Sequence, residues 1–120
     1  MKTVTLDVRP LSDTLSDFTR AWKSRRGSSA RISFESPALL FKLLTGKRWE
    51  LLNALTGAGS MTIREAARRT GRDVKAVHGD VRALLNAGIL RKTKDNKIIF
   101  PFDVLRVDVT SELRVPTPRE

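Results

Sequence analysis

The stretch Thr62-Ile63-Arg64-Glu65-Ala66-Ala67-Arg68-Arg69-Thr70-Gly71-Arg72-Asp73-Val74-Lys75-Ala76-Val77-His78-Gly79-Asp80-Val81-Arg82-Ala83-Leu84-Leu85-Asn86-Ala87-Gly88 decides the fold. Thr62-x-x-Glu65 is a capping-box pattern and opens a helix over 62–70, with Ile63, Ala66 and Ala67 turned inward. Gly71 breaks that helix. Asp73 caps a second one that runs to about Asn86, with Val74, Val77, Val81, Leu84 and Leu85 on one face, and Ala87-Gly88 stops it. Ala67 supplies the small side chain that two steeply crossing helices need. Gly71 stands at the turn, where positive φ is often required, and Val77 packs the second helix on the first.

Those spacings match a helix-turn-helix, although Thr70, Arg72 and Asp80 occupy positions where apolar residues are common. Downstream, Ile89-Leu90-Arg91-Lys92, Thr93-Lys94-Asp95-Asn96 and Lys97-Ile98-Ile99-Phe100 read as strand, turn, strand, a wing beside the second helix. Upstream, Ser36-Pro37 starts a short helix with Leu39, Leu40, Leu43 and Leu44 as its stripe. Gly46 punctuates, and a helix over about 47–56 carries Trp49, Leu51, Leu52 and Leu55. Residues 3–8, 30–35 and 103–109 alternate as half-buried strands, and 12–25 carries Leu15, Phe18, Ala21 and Trp22 at helical spacing. The expected class is α+β: a winged helix-turn-helix with an additional N-terminal strand-helix-strand and a C-terminal strand. The expected organisation is an arm over 1–29 for dimerisation or a partner, a DNA-binding domain over 30–109 and a flexible tail over 110–120.

Charge narrows the function. The 120 residues hold 23 Lys plus Arg against 13 Asp plus Glu, a net charge of +10, which points to a polyanionic partner. Residues 61–100 alone carry net +6, whereas 101–120 carry net −1. With no cysteine, disulfides, Cys–Zn sites and thiol catalysis are excluded, and a reducing cytoplasm suits the chain. No apolar run reaches transmembrane length and no signal-peptide core is present. His78 is the one histidine, so no metal site or hydrolase triad is expected; it is read as partly buried or phosphate-contacting. Thr45-Gly46-Lys47 looks like the end of a phosphate loop but lacks the upstream glycine and strand, so no enzyme and no cofactor is expected.

The candidate DNA contacts follow from the motif. Arg72, Lys75, Ala76, Gly79 and Arg82 are expected on the outer side of the recognition helix, about 73–87, in the major groove, with His78 flanking its apolar stripe. Gly79 admits two explanations, close approach to DNA or close packing against another helix. Thr62, Arg64, Arg68 and Arg69 are expected to meet phosphates from the first helix, and Arg91, Lys92, Lys94 and Lys97 to lie along the backbone or minor groove from the wing, about 89–100. RNA is disfavoured because the chain lacks interleaved surface aromatics, having no Tyr and its Trp and Phe at core-like spacing.

Phe34-Glu35-Ser36-Pro37, Leu44-Thr45-Gly46-Lys47-Arg48-Trp49-Glu50-Leu51-Leu52, Gly71-Arg72-Asp73-Val74-Lys75-Ala76-Val77 and Leu85-x-x-Gly88-Ile89-Leu90 resemble small prokaryotic winged-helix DNA-binding proteins, MarR-like regulators that often look like antitoxins. The resemblance spans about 30–109 and implies sequence-specific double-stranded DNA binding, operon autoregulation and localisation to the nucleoid. A homodimer is expected, with 3–8, 103–109 and the helix around Phe18 and Trp22 as its surface. The alternative implied by the resemblance is an antitoxin that also neutralises a cognate toxin protein.

Overall fold

The computed structural model describes residues 1–9 and 29–110; the helix expected over 12–25 and the tail beyond 110 lie outside them. In chain order the elements are β1 (Thr3–Val8), β2 (Ser29–Phe34), α1 (Pro37–Leu43), α2 (Gly46–Leu55), α3 (Ile63–Thr70), α4 (Val74–Asn86), β3 (Arg91–Lys92), β4 (Ile98–Ile99) and β5 (Val104–Asp108). The fold is therefore mixed, with four helices and two small sheets among the described residues.

Local chemistry starts each helix. The side-chain oxygens of Ser36, Thr45, Thr62 and Asp73 accept from the N–H groups of Leu39, Arg48, Glu65 and both Lys75 and Ala76, so every helix has an oxygen cap for its otherwise orphaned first-turn donors. Because Thr45 is a cap, α2 begins at Gly46, one residue before the expected start. Gly71, at φ 64°, ends α3: Arg72 N–H reaches the Ala67 carbonyl across it, and a Cβ would be strained in that left-handed turn.

The larger sheet is parallel, ordered β2-β1-β5. Its register puts Val4 and Leu6 on one face with Ala30, Ile32, Leu105 and Val107, and Thr5 and Asp7 on the other with Arg31, Ser33, Arg106 and Asp108. The apolar face joins Leu40 of α1, Leu51, Leu52 and Leu55 of α2, Ala66 and Ala67 of α3, and Val77, Val81 and Leu84 of α4 in one core. Each such fully buried Leu or Val contributes about 1.5–3 kcal/mol from the area it removes from water. β1, the strand of the expected arm, is the centre of this sheet. Both its edges are paired within the chain, so it offers no strand edge for self-association.

The smaller sheet pairs Arg91 with Ile99 and Lys92 with Ile98. It is shorter than expected because Ile89 and Leu90 turn into the core. Met61 adds a bridge that alternation did not suggest: its N–H and carbonyl exchange hydrogen bonds with Ile98 at 2.9 and 2.8 Å, tying the hairpin to the start of α3. Three apolar residues expected inside, Leu39, Trp49 and Val74, are exposed, and so is Phe41. Two aromatic side chains, Phe41 and Trp49, are therefore not confined to the interior. None of the described helices is long and apolar enough to cross a membrane.

Candidate functional site

Helix α4 sets the geometry. Val77, Val81 and Leu84, spaced four and three apart, are buried, and this turns Lys75, Ala76, His78, Gly79 and Arg82 to the surface. Val74 is 43 % exposed: it is the first residue of the helix, a turn ahead of the apolar stripe assigned to it. Among the described residues a Cβ on Gly79 would meet nothing within 4 Å, so no described helix packs closely enough there to require a glycine.

Arg72, expected on the outer side, does not stand there. Its Nη2 donates to Asp80 Oδ2 at 2.6 Å, both side chains are 15 % exposed, and its Nη1 is buried without a hydrogen-bond partner among the described residues. Asp80 Oδ1 also accepts from Arg48 Nε at 3.0 Å, and Arg48 Nη1 donates to the Leu43 carbonyl at 2.9 Å. One aspartate thus ties the end of α1, the start of α2, the Gly71 turn and the middle of α4. Burial alone would raise the Asp80 pKa, but the hydrogen bonds from Arg72 and Arg48 and their charges outweigh it and hold the carboxyl below its ordinary value. The signal was in the sequence: an acid at a normally apolar helix position needs a buried cation.

On α3, Arg68 and Arg69 are exposed but engaged. Arg68 Nε and Nη2 donate to the two Glu65 oxygens at 2.6 Å each and Arg69 Nε donates at 3.1 Å, so the Glu65 carboxylate faces them, and these bonds pull its pKa down to about 2. Thr62 serves as the α3 cap, and it lines a shallow recess with Arg64, Ala67 and Arg68. In the hairpin, Lys97 is half-buried with its Nζ 3.5 Å from Asp95.

What remains of the expected contacts is a set of exposed cations without a hydrogen-bond or ion-pair partner for their side chains among the described residues: Arg64, Lys75, Arg82, Arg91, Lys92 and Lys94. Two of them meet. Arg82 and His78 of α4 and Lys92 of the hairpin line one open groove with Asn86 and Asn96, floored by Ile63, Val81, Leu85 and Ile98. Asn86 and Asn96, amides that can both donate and accept, were not singled out from the sequence; only the fold brings them to the cations. Among the described residues no cluster of His, Asp and Glu could hold a metal ion.

No curated protein and no solved structure matches the chain. Residues 43–107, from the last residue of α1 through the α4 and hairpin surface into β5, match one family over more than half of the chain, and the chain belongs to it: the HVO_A0114 family.

Proposed function

We propose that this protein is a sequence-specific double-stranded DNA-binding transcriptional regulator of winged helix-turn-helix type, acting as a homodimer on its own operon. The groove shared by α4 and the hairpin carries the reading. Arg82, His78 and Lys92 converge there, while Lys75, Ala76 and Gly79 give the rest of the outer side of α4 charge without bulk. A helix with that surface enters the major groove, and a cationic hairpin beside it follows the phosphates or the minor groove. Arg72 acts in this scheme from behind, holding α4 against α2 through Asp80 and Arg48.

The test is a titration of duplexes that the protein retains from its own genome. Affinity falls linearly in log–log form with salt, with a slope of about −0.9 for each phosphate neutralised. Lys75→Ala or Arg82→Ala each costs about 1–3 kcal/mol, the larger value if a base edge is lost. Equal affinity for a scrambled duplex or for single-stranded RNA, or no change in either variant, overturns the reading.

A further inference from the structure

β5 is an edge strand: one side pairs with β1, and no described strand pairs with the other. Its last three residues, Arg106, Val107 and Asp108, are exposed, and Val107 at 37 % is the most exposed large apolar side chain of the described sheet. Arg106 and Asp108 carry opposite charges, lie on the same face, and have no hydrogen-bond or ion-pair partner for their side chains among the described residues. An open backbone edge bearing an apolar centre and two unspent charges is a template for another strand.

We propose that this edge pairs antiparallel with the β5 of a second copy, about a twofold axis at Val107. In that register Arg106 lies opposite Asp108 of the second copy, and Asp108 opposite its Arg106, so both pairs are complementary. Val107 meets Val107, and Leu105 meets Val109, continuing the apolar face that Val4 and Leu6 begin. A twofold at Arg106 or at Asp108 sets like charges opposite each other, and a one-residue slip puts charged side chains on the apolar face. The other edge, β2, is a poorer candidate: Arg31 is spent on Asp7, and Ala30, Ile32 and Phe34 are half-covered. The result is a continuous sheet in the order β2-β1-β5-β5-β1-β2. This deepens the homodimer part of the function proposed above and does not depend on DNA binding.

The experiment uses the full chain without DNA. Light scattering at micromolar concentration gives twice the 13.4 kDa of one chain. The chain has no cysteine, so Val107→Cys forms a single symmetric disulfide on mild oxidation, while Lys75→Cys on the outer side of α4 does not. Arg106→Asp or Asp108→Arg alone gives monomer with an unchanged circular dichroism spectrum, and the two together restore the dimer, which a merely structural role would not produce. A monomeric wild type, a dimer that the Val107→Cys variant fails to cross-link, or a double variant that stays monomeric overturns the interface. DNA titration of the same variants reads the regulator proposal separately: monomers that retain the binding of a single half-site leave it standing.

Discussion

Asp7 and Asp80 are both largely buried acids that hold two arginines each, but the arginines differ in how far they are withdrawn from water. Asp7, in the central strand, accepts from Arg9 Nε at 3.1 Å, from Arg31 and from Ser33 Oγ at 2.6 Å, and Arg31 keeps 48 % of its side chain in water. Around Asp80 both guanidinium groups are drawn inside, one of them with a nitrogen left unsatisfied. In the first cluster the acid is buried but its arginines lie at a rim where they can rehydrate. The second is a joint between helices, and its arginines are withdrawn from any surface role. A net charge of +10 therefore misleads as a measure of what a partner meets; the geometry decides which cations are free.

The contrast predicts an order of effects. Asp80→Ala leaves two enclosed cations without a counter-charge and lowers unfolding stability by about 3 kcal/mol, read from urea midpoints. A loss below that of Asp7→Ala would reverse the comparison. Asp7→Ala costs about 1–2 kcal/mol, because Arg31 recovers much of its hydration when the acid is gone. Acid sharpens the same point. Burial would raise both aspartate pKa values, but the hydrogen bonds from Ser33, Arg31 and Arg9 at Asp7, and from Arg72 and Arg48 at Asp80, leave them below the ordinary 3.8. A depressed folded-state pKa contributes stability in full above the unfolded value, and that stability is lost as pH falls through the folded one. Stability thus drops below about pH 4, and Asp80→Asn flattens that part of the curve. Glu65→Gln comes last: its pairs with Arg68 and Arg69 are exposed and solvent-screened, so the urea midpoint stays where it was, while under the proposed regulator function the two freed arginines would steepen the salt dependence of binding to a duplex.

Local signals were legible. Ser36-Pro37, Thr62, Asp73, Gly71 and Gly88 mark helix ends through hydrogen bonds that span only a few residues, and the helices start and stop close to where those residues place them. Alternation located 3–8, 30–35 and 103–109 as strands but could not say that they lie side by side and parallel, because a period of two records which face is buried and not which neighbour is paired. At the candidate site, the outward set Lys75, Ala76, His78, Gly79 and Arg82 followed from the stripe of Val77, Val81 and Leu84. Arg72 did not, because its partner is eight residues away in sequence and Arg48, the third member, is further still. Met61 was missed because an isolated bridge has no periodicity to detect.

The Asp103 carboxylate accepts from the Lys2 backbone N–H across a separation of 101 residues, at the point where β1 and β5 come together. Helices whose contacts are close in sequence assemble early, whereas strands so far apart must wait for nearly the whole intervening chain. During synthesis Val4 and Leu6 leave the ribosome long before β5 does. The helical body thus has time to form while the sheet is still incomplete, and closure of β1 against β5 is the late step at which a slow or truncated translation product would be caught with one edge of its central strand open.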